Sequence, residues 1–189
     1  MTLTIPEIQS RGGYQIIYAD PPWSYNDRGC NGAVEPHYAT MSIEQICSMP
    51  VNQIVAPDAV LFLWATFPKI EDALRVIPRW GFTYKSIAFC WLKYKGVKPF
   101  FGLGRWTRGN TEPCLLAVRG KPHRVSASVS QLILQEQVTR HSAKPPEARD
   151  KIVELLGDLP RLELFARQRT PGWDAWGNEV PGGNNVDLR

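Results

Sequence analysis

The sequence predicts an α/β protein built on one sheet buried on both faces. Short runs dense in Val, Ile, Leu and Phe alternate with helical patterns. Hydrophobic residues make up 43% of the 189, enough for one domain with a full core and little beyond it.

Residues 1–13 read as a polar lead-in. Residues 15–19 form an apolar run ending at Asp20, which fits a buried strand. Ser42 with Gln45 three positions on gives the capping-box start of a short helix. Residues 59–65 make a second strand, bounded by Asp58 and Thr66. Ile70, Leu74 and Ile77 then follow a helical period that ends near Gly81, with Pro78 kinking or fraying the last turn. Residues 82–92 and 114–118 read as further strands, and the basic, Gly-rich residues 94–110 as a long functional loop. From 145 to 156, Ala148, Ile152 and Leu155/Leu156 share one helical face, and Gly157 stands at the stop position. Residues 161–166 give a final strand and 181–189 a flexible tail, so the expected domain is 14–180.

No run of about 18 apolar residues points to a membrane span, and the first ten residues lack a basic, apolar leader. The expected location is cytoplasmic. Cys30, Cys47, Cys90 and Cys114 form no CxxC pair, and His37, His123 and His141 lie far apart. The sequence therefore predicts reduced thiols and no metal site.

Net charge is only +4, but it is unevenly spread. Residues 79–124 hold ten Lys/Arg against a single acid, Glu112, while the rest of the chain is net acidic. Trp80, Phe82, Tyr84, Phe89, Trp91, Tyr94, Phe100, Phe101 and Trp106 interleave with that charge. Basic side chains neutralise phosphates and aromatic faces stack on exposed bases, so the pattern predicts a nucleic-acid partner. Lys93, Lys95, Lys98, Arg105 and Arg108 are the expected phosphate contacts, with Tyr38 in the second candidate substrate segment, 26–38.

The most informative tetrapeptide is Asp20-Pro21-Pro22-Trp23, directly after a predicted strand. Two prolines fix two φ angles and remove two N–H donors, so the segment cannot continue a ladder. A carboxylate, proline carbonyls and a flat ring are then presented at a strand's carboxyl end, where open α/β sheets hold ligands. This set suits an exocyclic amine. The N6 lone pair of adenine is delocalised into the ring; Asp20 and the Pro21 carbonyl can each accept one N6–H bond and redirect that lone pair at a methyl donor. Trp23 is expected to stack on a base that has left its helix. The same residues also fit a proline-rich turn with Trp23 in the core.

With the segments that follow, the sequence resembles the adenine-N6 methyltransferase family that includes the catalytic subunit of messenger-RNA adenosine methyltransferase, the MT-A70 family. The resemblance runs from about residue 16 to 180. It rests on the tetrapeptide, His37-Tyr38-Ala39-Thr40-Met41, Leu61-Phe62-Leu63-Trp64, Trp91-Leu92-Lys93, Glu112-Pro113-Cys114-Leu115, Val118-Arg119-Gly120 and His141-Ser142-Ala143-Lys144-Pro145. Leu162 to Arg167, Gly172-Trp173 and Trp176-Gly177-Asn178-Glu179 complete it.

The resemblance implies a Rossmann-like methyltransferase fold in permuted order, with the catalytic tetrapeptide first and the cofactor strand last. It implies S-adenosylmethionine as cofactor, held by Asp20, Lys144, Glu163, Arg167, Asn178 and Glu179, with Asp20, Pro21, Pro22 and Trp23 catalytic. Lys144 would pair with the cofactor carboxylate, and Glu163 would bind the cofactor or orient Arg167. Gln168-Arg169-Thr170 depart from the family, which commonly has His or Asn ribose ligands there. DNA is the expected substrate; RNA, cytosine N4, a catalytically inactive subunit and a homo- or hetero-dimer stay open.

Overall fold

The computed structural model describes residues 2–25, 40–100, 102, 106–136 and 143–188. In chain order these form α1 (Ile5–Ser10), β1 (Tyr14–Ala19), α2 (Ile43–Ser48), α3 (Val51–Ile54), β2 (Val55–Trp64) and α4 (Ile70–Arg79). There follow β3 (Thr83–Lys95), β4 (Lys98–Pro99), β5 (Thr111–Arg119), β6 (Leu132–Glu136), α5 (Glu147–Leu156), β7 (Arg161–Leu164) and β8 (Asp174–Trp176). The strands make one mixed sheet in the order β4-β3-β5-β2-β1-β7-β8, with β6 also paired to β3.

Alternation along the strands divides the core into two layers, as expected of a sheet covered on both faces. Ile17, Ala19, Leu61, Leu63, Leu115, Ala117, Leu162 and Leu164 pack with Ile46 of α2, Val51 and Ile54 of α3, and Ala73, Val76 and Ile77 of α4. On the other face Ile16, Tyr18, Val60, Phe62, Trp64, Phe89 and Cys114 meet Ala148, Ile152 and Leu156 of α5. The predicted capping box starts α2: the Gln45 N–H donates to the Ser42 hydroxyl and the Ser42 N–H to the Gln45 side chain. Gly157 ends α5 at φ 85°, a backbone state that glycine adopts at little cost.

Strand directions decide where the site lies. β1 runs parallel to β2 and β7, and β7 to β8, whereas β5 is antiparallel to both β2 and β3. The carboxyl ends of β1, β2, β3, β7 and β8 therefore share one edge with the amino end of β5.

Several expectations need correction. The lead-in is not loose: residues Ile5–Ser10 form α1. Its end is tied to the expected flexible tail, since the Leu3 N–H donates to the Asn185 carbonyl and the Asp187 N–H to that of Leu3. Val186 and Leu188 are buried because they cover the sheet beside Leu3. The stretch 94–110 opens as a hairpin rather than a loop, with Lys95 facing Lys98 across Gly96 and Val97. Four of the nine interleaved aromatics are core: Trp80, Phe82, Phe89 and Trp91 are buried, because they lie on inward strand positions or under α4.

Candidate active site

Four charges from four segments meet at that edge. The Lys144 Nζ lies 2.8 Å from Asp20 Oδ1 and 2.8 Å from Glu112 Oε1. Glu112 Oε2 in turn accepts from Lys93 Nζ at 2.8 Å. Asp20 follows β1, Glu112 opens β5, Lys93 sits near the end of β3, and Lys144 lies just before α5. The register places Trp91 opposite Glu112, which brings Lys93 within reach. Trp91 and Trp64 floor the row: Lys93 lies 4.4 Å from the Trp91 ring centroid and Lys144 5.6 Å from that of Trp64.

The row is neutral as a whole, two carboxylates against two ammonium groups. Burial works against the Glu112 carboxylate, but Lys144 and Lys93 outweigh it and hold the carboxyl below its usual range. Burial likewise opposes the Lys144 ammonium, and the two carboxylates push its pKa up instead. Asp20 goes the other way. Loss of solvent raises its carboxyl above the ordinary range, Lys144 offsets part of that, and the Glu112 charge adds to it. A quarter of the Asp20 side chain still reaches solvent.

A pH dependence follows. If turnover needs ionised Asp20, the rate falls as pH drops through a pKa above the usual aspartate value. Glu112→Gln removes a negative neighbour, lowers the Asp20 pKa and moves the acid limb of kcat to lower pH. An acid limb at the same pH in both proteins would separate Glu112 from Asp20.

The tetrapeptide is only partly as expected. Trp23 is 7% exposed and its indole N–H donates to the Trp64 carbonyl at 3.1 Å, so its ring packs in the core. The proline carbonyls are not free: that of Pro21 accepts the Trp23 N–H at 2.9 Å and that of Pro22 the Met41 N–H at 2.9 Å. A carbonyl has two lone pairs, so Pro21 keeps one acceptor position.

Glu163 meets Arg149 rather than Arg167. The Arg149 guanidinium forks onto both carboxylate oxygens at 2.5 and 2.8 Å, and the pair is buried. This two-bond geometry orients the Glu163 carboxylate and braces α5 against β7. Arg149 also lies 5.4 Å from the Tyr18 ring, and the Tyr18 hydroxyl accepts from Trp64 Nε1 at 2.8 Å. Two of the three Lys144 N–H donors are directed at carboxylates of the protein itself.

Arg167, Asn178 and Glu179 stand where β7 and β8 end. Arg167 Nε is 3.9 Å from Glu179 Oε2 and close enough to Asp20 to bias its charge. Asn178 and Glu179 are exposed. Phe165 takes φ 61°, a costly state for a side-chain residue, and its ring packs edge-on against Trp176. A Cβ on Gly177 would collide with the Ala166 backbone, so glycine lets these two strand ends close on each other.

The basic segment splits between the two edges of the sheet. Lys85 and Arg119 belong to the opposite edge, where Arg119 donates to the Asn52 carbonyl. Lys95, Lys98 and Arg108 are exposed beside the charge row, and Trp106 among them is 98% exposed. Lys93, expected to meet phosphate, is instead held by Glu112. Tyr38, Arg105, His37 and His141 lie outside the described residues. The sequence reading gave Glu112 no role, although its being the sole acid among ten bases marked it.

The MT-A70 family model matches residues 14–179. The chain belongs to the MT-A70 family of adenine-N6 methyltransferases. This MT-A70 chain is 34% identical to the Type II methyltransferase M.MunI of Mycoplasma sp, covering 94% of this chain and 82% of the relative. It is 28% identical to a putative N(6)-adenosine-methyltransferase MT-A70-like protein of Medicago truncatula, over 93% of this chain and 28% of that protein. With the human N(6)-adenosine-methyltransferase catalytic subunit METTL3 it shares 25% identity over 96% of this chain and 30% of that protein. The MT-A70 chain thus spans less than a third of the length of these plant and human relatives.

Proposed function

We propose that this protein transfers a methyl group from S-adenosylmethionine to N6 of adenine in DNA. The observation that carries this reading is Asp20: one carboxylate oxygen is fixed by Lys144 at a strand's carboxyl end, which leaves Oδ2 as an oriented acceptor. The donor set fits the cofactor. Arg167 suits its carboxylate, Asp20 its ammonium end, and Asn178 and Glu179 its ribose hydroxyls. When bound, the cofactor supplies an electrophilic methyl group. The order of parts, with the tetrapeptide after β1 and the cofactor residues after β7 and β8, is the permuted one.

In the reaction, Asp20 Oδ2 and the remaining Pro21 lone pair accept the two N6–H bonds. Both acceptors favour a tetrahedral nitrogen and stabilise the positive charge that grows on it. Lys144 keeps the carboxylate from rotating, and Glu112 and Lys93 hold Lys144. The surplus proton then leaves the amine for water.

DNA is favoured by the hairpin of β3 and β4. A two-stranded ribbon enters the major groove of B-form DNA, whereas that of A-form RNA is too narrow to admit it. The relative matched over most of both chains is a Type II methyltransferase. Trp106 offers a stacking face for an unpaired base beside the site. Mass spectrometry of nucleosides from DNA and RNA incubated with labelled cofactor tests the reading. Label in N6-methyldeoxyadenosine supports it, label in N6-methyladenosine moves the substrate to RNA, and label in neither refutes it.

Lys95, Lys98 and Arg108 then grip phosphates. Each contact adds about 0.9 to the salt slope on duplex DNA, so replacing all three by alanine flattens the slope by about two to three and leaves cofactor affinity unchanged. Superimposable slopes in binding titrations would move the nucleic-acid surface elsewhere.

A further inference from the structure

The tip of the β3–β4 hairpin carries an arrangement that phosphate binding alone does not explain. Val97 is 99% exposed, an apolar side chain set between two exposed lysines. Lys95 and Lys98 are cross-strand partners, and like charges placed directly opposite each other destabilise a hairpin in isolation. A polyanion on either side of the tip removes that repulsion. Gly96 makes the turn at φ 60°, and its N–H donates to Glu136 Oε1 at 3.1 Å, so the tip is anchored to β6. The hairpin grows from Lys93, a member of the buried charge row, and projects from the edge that bears Asp20. β3 runs extended from Lys93 to Lys95 and rises about 7 Å before Gly96 turns the chain. With the turn residues beyond it, the tip has a reach comparable to the depth of a major groove, about 8.5 Å.

We infer that Val97 is a wedge: the hairpin enters a groove of duplex DNA and Val97 occupies the gap left in the base stack when the target adenine swings out to Asp20. The inference rests on the proposed methyl transfer to DNA and adds how a paired adenine becomes available to it. Enzymes that act on a base must take it out of the stack, and inserted apolar side chains are a recurrent means of holding the stack open. Lys95 and Lys98 would hold the phosphates on either side of the opened step. In single-stranded DNA there is no stack to hold open, so Val97 has no role there.

The test uses the full chain and unmethylated plasmid DNA, native and heat-denatured, with labelled cofactor. Val97 touches nothing that the fold needs, so Val97→Ser is expected to melt with the wild type. Its kcat/KM on native plasmid should fall roughly tenfold or more, while that on denatured plasmid stays at the wild-type value. Val97→Leu, which keeps an apolar tip, should retain most of the activity on the native form. Equal activity of Val97→Ser and wild type on native DNA, or an equal loss on both forms, overturns the wedge. Wild-type methylation of the denatured form alone also overturns it and leaves the methyltransferase reading standing. Methylation of neither form by the wild type overturns both.

Discussion

Replacing Asp20 by alanine lowers turnover by roughly 10²–10³ while the protein still folds, since one acceptor aimed at a developing charge is commonly worth that much. Folding survives because Lys144 keeps a buried partner in Glu112, 2.8 Å away. The variant should therefore melt close to the wild type and bind nucleic acid with wild-type affinity. Asp20→Asn separates charge from shape. The amide can still accept one bond, but it gives up the anion that balances Lys144 and the amine, so its rate should fall between those of wild type and Asp20→Ala. Methyl incorporation under single-turnover conditions, with thermal melts of all three proteins, makes the measurement. Wild-type turnover in Asp20→Ala would sink the mechanism.

The largest effect on stability belongs to Lys144. Lys144→Met removes the cation from between Asp20 and Glu112, so Asp20 loses its partner beside a Glu112 carboxylate that keeps only Lys93. Breaking a buried pair by deleting one partner costs about 3–5 kcal/mol, because the abandoned charge stays uncompensated. The sign of its pH dependence follows from the same picture. Without Lys144 the folded-state carboxyl pKa values rise, so the damage is full at neutral pH and fades as pH falls through those raised values. Adding Glu112→Gln removes the negative neighbour of the stranded Asp20. The double variant should thus be more stable than Lys144→Met alone, an interaction that denaturant titrations of the singles and the double reveal. A double variant as unstable as the sum of the singles would mean that Lys144 stabilises by packing on Trp64 and not by charge.

Much of this site was legible in the sequence, and the parts that were not have physical reasons. The central strands could be read because each is an apolar run buried on two faces, and the position of Asp20 at the end of β1 followed from that. β6 and β8 escaped. β6 alternates exposed Leu132 and Leu134 around buried Ile133, and β8 has only three residues, so neither shows a sustained period. α1 carried its own signal, Thr4 followed three positions later by Glu7, and the Thr4 N–H does donate to that carboxylate at 2.8 Å. The packing of Trp23 could not be read, because its bond to the Trp64 carbonyl, distant in sequence, leaves no local pattern. The partners of Lys144 and Glu163 could not be read at all, since an ion pair between segments far apart in the chain leaves no local pattern.

That wide separation has a consequence for how the protein comes to exist. β1, at one end of the chain, is flanked in the sheet by β2 and by β7, near the other end. Asp20 and Lys144 can meet only once this distant pairing and the docking of α5 are complete. Closing such loops is slow, because chain entropy is lost before the contacts repay it. A half-folded chain can already bury most of its leucines and still have no charge row, no oriented carboxylate and no place for a base. Competence for chemistry is thus a property of the finished topology, and a nascent or partly unfolded copy has no means of modifying nucleic acid.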